Sequence, residues 1–309
     1  MLDVRSRARG CLLGQLAGDS LGSLVEFRTP QSIHLEYPNG VRFLADGGTF
    51  NTIAGQPTDD SEMALALAGE LIKKGRYCVK SVKRAYQEWL ASNPFDCGST
   101  ISNTLYGELN PYSEANGALM RISPLGIFGS KYKRSDVMKW AKKDAEITHI
   151  HPICGQINAL FVALLAHAIR EGGTGAELYK TLLDWMKSMK LDPVLHEVVK
   201  RAAYEPPSDF ITNMGWVLIA FQNAIYQMLH APNLEEGVID TVMRGGDTDT
   251  NAAIAGTLLG AIYGEDAVPV QWRESILNCR PEVGRANCPR PEKYWPNNAI
   301  KIADLLLRG

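Results

Sequence analysis

The chain has no CxxC pair, no basic run and no long unbroken apolar stretch. Its six cysteines, Cys11, Cys78, Cys97, Cys154, Cys279 and Cys288, have no histidine companions at zinc-ligand spacing. That pattern argues against a structural zinc site or a disulfide framework and suits a reducing compartment, so cytoplasmic residence is the expectation. The formal net charge is only -2, and Lys and Arg are dispersed, which argues against a counterion-release grip on nucleic acid. The apolar stretch after the charged start MLDVRSRARG is broken by Asp19, and the longest apolar run, around Phe161 to Ala166, is too short to span a bilayer. Neither a secretory signal nor a membrane anchor is expected.

Strand-like alternation is also scarce. Apolar residues recur at intervals of three and four, as in Met63, Leu67, Leu71 and in Val217, Phe221, Ile225, which predicts a nearly all-helical fold. Helices are expected at about 4–22, 59–74, 79–91, 135–147, 152–171, 174–188, 193–202, 213–230, 234–244, 248–263, 268–277 and 297–307. Hydrophobic residues make up 45% and charged residues 21%, enough to bury a sizeable core. No linker divides the chain, so one domain over 1–309 is expected. Gly10, Gly14, Gly18 and Gly22 recur every four residues, as do Ala252, Gly256, Gly260 and Gly264. Each row is one helix face, and since an interior glycine costs roughly 1 kcal/mol against alanine, close backbone packing must compensate. The two helices are expected to cross near the centre.

Chemistry concentrates at two helix starts. Thr58-Asp59-Asp60 opens one helix, and Asp247-Thr248-Asp249-Thr250 opens another directly after Gly245-Gly246. Capping alone explains one such cluster, because Asp and Thr are favoured N-caps and negative charge suits a helix N-terminus. Four carboxylates in two clusters exceed what capping needs, and adjacent like charges repel unless a cation neutralises them. Residues at i and i+2 in a helix point about 200° apart, so Asp247 and Asp249 converge only if Asp247 precedes the regular helix. A ligand set of carboxylates and hydroxyls without His or Cys selects magnesium or manganese over zinc or copper and leaves calcium open. Two ions fit the number of carboxylates.

These residues resemble the ADP-ribosylglycohydrolase family, of the dinitrogenase reductase-activating glycohydrolase type. The resemblance is carried in order by Gly14 through Gly22 (GQLAGDSLG) with Glu26, by Thr58-Asp59-Asp60-Ser61, by Asn116 through Arg121 (NGALMR), by Thr148-His149 and by Gly245 through Thr250 (GGDTDT). Five motifs in family order are specific where any one is weak. It implies an all-α, single compact orthogonal multi-helix domain with two Mg2+ or Mn2+ ions, held by Thr58, Asp59, Asp60, Asp247, Asp249 and Thr250. Asp96 or Glu26 is implied as the proton-handling group, with Asp60 in the catalytic set. Gly98, Ser99, Thr100, Ser113, Asn116, Gly117, Met120 and His149 are implied to cradle the ligand, and Trp216 offers a ring for adenine. The chain departs at Ala115, where relatives often have glycine, and at Trp216, where many have tyrosine.

The implied activity is hydrolysis of the bond joining ADP-ribose to a protein side chain, arginine first, with a serine-linked substrate or O-acetyl-ADP-ribose as alternatives. The rival from another class is a binding protein: a catalytically silent family member, or an immunity protein that neutralises an ADP-ribosyltransferase toxin by occupying it as well as by hydrolysis. A purely structural helical scaffold is a third reading, in which each acidic cluster needs its own explanation as a cap.

Overall fold

Close backbone approach between two glycine-striped helices organises the molecule. The computed structural model describes residues 2–308, and α1 (Val4–Gly22) lies along α13 (Thr248–Tyr263) near its centre. A Cβ added at Gly14 would sit 2.1 Å from the carbonyl oxygen of Gly256, and one at Gly256 would sit 2.2 Å from that of Gly14. No side chain fits there, so the two rows of small residues are a steric requirement of the crossing.

Between these two helices in sequence come α2 (Pro30–Glu36), α3 (Asp59–Lys74), α4 (Val79–Leu90), α5 (Ser99–Leu105), α6 (Ser123–Gly129), α7 (Arg134–Ala145), α8 (Pro152–Glu171), α9 (Gly175–Lys187), α10 (Pro193–Ala202), α11 (Val217–His230) and α12 (Leu234–Met243). After α13 follow α14 (Val270–Asn278) and α15 (Ala299–Arg308). Among the described residues there is no strand, only isolated bridges. The fold is all-α, and one core cluster draws buried side chains from α1, α3, α6, α8, α11 and α13 together.

The helices α2, α5 and α6 were not expected from the sequence. Each has seven residues, too few for a 3.6-residue period to register in a window of about 11–18. The start expected at 213 falls instead at Val217, because residues 114–116 pair with 215–217: Asn116 N–H donates to Gly215 O and Val217 N–H to Glu114 O, both at 2.9 Å.

The sequence held nothing long enough to cross a bilayer by its unbroken apolar runs. In the structure α8 has the length and apolarity to do so, but 83% of that stretch is buried inside the protein. Its small and aliphatic residues face α6, α7 and other helices of the core.

Two buried ion pairs brace the helices around the core. Arg121 Nε donates to Asp144 Oδ1 at 3.2 Å, with Tyr86 donating to the same carboxylate. Arg290 Nε donates to Glu62 Oε1 at 2.8 Å, while Trp89 Nε1 donates to Glu62 Oε2 at 2.8 Å.

Candidate active site

Asp59 and Asp60 form the first turn of α3. Asp247 is the residue before α13, at φ -80 and ψ 72, outside helical geometry, and Asp249 lies in the helix's first turn. This break in regular backbone lets carboxylates two residues apart converge. It depends on Gly245 and Gly246, at φ 72 and 75. A Cβ at Gly246 would sit 2.0 Å from Phe210 O, and one at Gly245 would sit 2.5 Å from Arg28 O.

The two helix starts meet. Thr250 Oγ1 donates to Asp60 Oδ2 at 3.3 Å, and Thr58 Oγ1 lies 3.2 Å from the same oxygen. Glu26, Asp247 and Asp249 each offer a carboxylate oxygen within 4.8 Å of the others. Glu26 is carried there by a turn in which Phe27 takes φ 65 and its N–H donates to Gly246 O at 2.8 Å. The 27–28 segment is thereby tied to the glycine pair that precedes Asp247.

These carboxylates are buried among one another. Desolvation is the first cause of every upward shift in the cluster: it pushes Glu26 to about 9 and Asp19 to about 6, and holds Asp59, Asp60 and Asp249 well above the usual carboxylate range. Neighbouring carboxylates raise Asp59, Asp60 and Asp249 further. Asp96 and Asp247 are also raised by burial, although hydrogen bonds oppose the effect. Glu26 Oε2 and Asp60 Oδ1 are buried with no hydrogen-bond partner. An all-oxygen donor set with unsatisfied lone pairs and unrelieved repulsion fits a hard divalent cation.

Above this cluster opens a cleft of about 290 Å³ lined by Glu26, Asp59, Asp96, Gly98, Ser99, Thr100, Asn116, Gly117, Met120, His149, Asp247 and Thr250. Thr58, Asp60 and Asp249 are buried and do not line it. Ser113 is not in the lining either, but its hydroxyl bonds Thr100 Oγ1 at 2.8 Å. Gly98 N–H donates to Asp59 Oδ2 at 3.3 Å, joining the 96–100 loop to the acidic cluster.

Gly117 lies against His149: a Cβ there would be 3.2 Å from His149 Cε1. Burial, and then the charge of Arg121, hold that imidazole's pKa down to about 3, so it is neutral. Its Nδ1 pairs with Thr148 Oγ1 at 2.8 Å, and its Nε2 has no partner. Trp216 lies outside the cleft, in an adjoining shallower recess, with its Nε1 donating to Glu114 Oε2 at 2.7 Å.

The family model described as ADP-ribosylglycohydrolase matches residues 1–291. The chain belongs to the ADP-ribosylglycohydrolase family. It is 32% identical over 283 residues to the ADP-ribosyl-[dinitrogen reductase] glycohydrolase of Rhodospirillum rubrum, covering 88% of this chain and 91% of that protein. It is 27% identical over 288 residues to the ADP-ribosylarginine hydrolase Tri1 of Pseudomonas putida (strain GB-1), covering 87% of this chain and 74% of that one. A solved structure described as an ADP-ribosylglycohydrolase-related protein complex superposes with a TM-score of 0.80 at 25% identity, over 99% of this chain and 98% of that one. Family membership makes the chain one of the ADP-ribosyl hydrolases.

Within this family fold, the departure at residue 115 has a simple local consequence. Ala115 is extended, at φ -71 and ψ 155, and bridges Trp216. Alanine therefore meets no backbone strain there. Sequence reasoning missed Phe27, Ile101 and Met214 in the cleft lining. Only Met214 had a signal, its position just before the Gly215-Trp216 departure. Sequence reasoning also gave Asn116 a ligand-binding place only, whereas its Nδ2 donates to Asp247 Oδ2 at 2.6 Å.

Proposed function

We propose that this ADP-ribosyl hydrolase is dependent on divalent cations and releases ADP-ribose from modified arginine side chains. The observation carrying the reading is the contact of Thr250 Oγ1 with Asp60 Oδ2 at 3.3 Å, which joins two acidic helix starts 190 residues apart in sequence. Thr58, Asp59, Asp60, Asp247, Asp249 and Thr250 would hold two ions, magnesium or manganese, and Glu26 shares their carboxylate cluster. When bound, the ions supply Lewis-acid charge at the reacting ribose.

The rest is done by the chain's own groups. The loop Gly98-Ser99-Thr100, with Ser113 bonded to Thr100, receives the diphosphate, where hydroxyl and backbone N–H groups meet its charge without lysines. Asn116, Gly117, Met120 and neutral His149 shape the opposite part of the cleft, and Trp216 offers its ring to adenine from the adjoining recess. Water attacks the anomeric carbon as the bond to the guanidinium nitrogen breaks. Asp96 or Glu26 gives the leaving nitrogen a proton and accepts one from water. In the cation-free protein, burial and neighbouring carboxylates hold both carboxyls above the ordinary range, and a carboxyl that exchanges a proton readily suits this role.

The arginine linkage is supported by similarity to the Rhodospirillum and Pseudomonas enzymes, whose names specify dinitrogen reductase and ADP-ribosylarginine. The test is release of free ADP-ribose from arginine-modified and serine-modified protein, each with magnesium, manganese or chelator. Release from the arginine substrate, abolished by chelator, is expected. Undiminished turnover in chelator overturns the cation dependence, and preference for the serine substrate overturns the linkage.

A further inference from the structure

Asp19, in the last turn of α1, is fully buried. Its Oδ1 accepts from Thr58 N–H and from Thr58 Oγ1, both at 3.0 Å, and its Oδ2 accepts from Ser61 N–H at 3.0 Å. Ser61 is the third residue of α3, whose N–H an N-cap threonine would ordinarily take with its own side chain. Thr58 is that N-cap residue, yet its side chain makes no cap bond. The cap of α3 is thus supplied from another helix, 42 residues away in sequence.

A hydroxyl carries one proton and two lone pairs. The Thr58 hydroxyl lies 3.0 Å from Asp19 Oδ1 and 3.2 Å from Asp60 Oδ2, so its single proton can serve only one of them at a time. Asp60 Oδ2 already accepts from Thr250, whereas Asp19 has only α3 donors to satisfy it.

The position of Asp19 is fixed from behind. A Cβ at neighbouring Gly18 would sit 2.1 Å from Ala252 O, and Thr248 Oγ1 donates to Gly22 O at 2.7 Å. One turn earlier on Asp19's own face, Gln15 Nε2 donates to Met120 O at 2.9 Å and reaches Asp60 O at 3.4 Å. One face of α1 therefore grips the start of α3 while the next grips the start of α13.

We propose that Asp19 is a positioning residue for the cation site: it caps α3 in trans and accepts the hydrogen bond of the Thr58 hydroxyl, which leaves the lone pairs of Thr58 Oγ1 free for a cation. The proposal rests on the cation dependence proposed above. Because Asp19 does not line the cleft, it acts through the two residues it holds.

The experiment compares wild type with Asp19→Asn, an isosteric change that leaves one acceptor oxygen and turns an NH2 group towards α3 donors. Manganese binding to metal-stripped protein is measured by titration calorimetry and by the spin-resonance signal of bound Mn2+, and Tm is measured in chelator. The wild type's own titration tests the cation reading separately: absence of Mn2+ binding there defeats that reading, and this one with it. Given wild-type binding, Asp19→Asn is expected to bind Mn2+ about 10- to 100-fold more weakly, as when an outer partner of a ligand is lost, with its metal-free Tm within a few degrees of wild type. Affinity within about twofold of wild type and an unaltered Mn2+ signal overturn the proposal. So does a variant that is unfolded in chelator and remains so in excess Mn2+, because Asp19 then serves folding alone.

Discussion

Glu62 and Asp60 lie two residues apart on α3, both buried, and their surroundings differ in one respect. Glu62 meets Arg290, whose Nε and Nη2 donate to it at 2.8 Å, and Trp89 completes its hydrogen bonding. Asp60 meets Asp19, Asp247, Asp96 and Glu26 as charges, and hydroxyls as donors. The Arg121–Asp144 pair repeats the first pattern elsewhere in the core. Where the chain buries a carboxylate for architecture, it brings its own guanidinium; around Asp60 the neighbours are more carboxylates. A buried charge without a partner is unfavourable by several kcal/mol, so the acidic cluster suits a positive charge from outside the chain in a way that the Glu62 pair does not.

The difference can be broken from the architectural side. Arg290→Met leaves Glu62 buried without its partner, and breaking a buried pair in this way costs about 3–5 kcal/mol. Denaturant titration should show that loss, with no recovery on adding magnesium. A loss under about 1 kcal/mol would mean that the pair is not what neutralises Glu62.

The same substitution chemistry applied to the acidic side should have the opposite sign. Asp60→Asn removes one of several repelling carboxylates, so the metal-free protein should be as stable as wild type or more stable, with similar helix content by circular dichroism. Activity should fall on the order of 10³-fold, corresponding to several kcal/mol of lost charge stabilisation. Retained turnover, or metal-free destabilisation like that of Arg290→Met, would erase the distinction between the two regions.

The parts of this arrangement that were legible in the sequence are those written locally. Thr58-Asp59-Asp60 and Asp247 through Thr250 announce helix starts because capping is local chemistry, and the glycine rows of α1 and α13 announce a close crossing because their period is helical. Too many carboxylates for capping was a signal from composition. The connections between elements were not legible: Asp19 to Ser61 spans 42 positions, Asn116 to Asp247 spans 131 and Arg290 to Glu62 spans 228. No spacing rule reaches such distances. The seven-residue helices α2, α5 and α6 escaped because they are shorter than the pattern that would reveal them, and the extended pairing of residues 114–116 with 215–217 moved the start of α11 away from where periodicity placed it.

The smallest effect expected is on pH dependence, where the two regions should also part. Glu26 is raised from 4.5 to about 9 and Asp19 from 3.8 to about 6, desolvation being the first cause of both. A group whose folded pKa lies above its unfolded value binds its proton more tightly in the folded state. Its contribution to stability is fully present below the unfolded pKa and is lost as pH rises through the folded one. In chelator, Tm should therefore decline between about pH 5 and pH 9 as these buried carboxyls are forced to ionise with no cation beside them. Cations compete with the same protons, so the thermal shift produced by magnesium should grow over that interval. Because Glu62 is not among the carboxylates that gather around Asp60, the Arg290→Met variant should keep the same magnesium-dependent increment across pH, although from a lower baseline. A thermal shift that is flat from pH 5 to pH 9 in the wild type would show that the carboxylates are already ionised without cations, and that the cluster is relieved by something other than an ion.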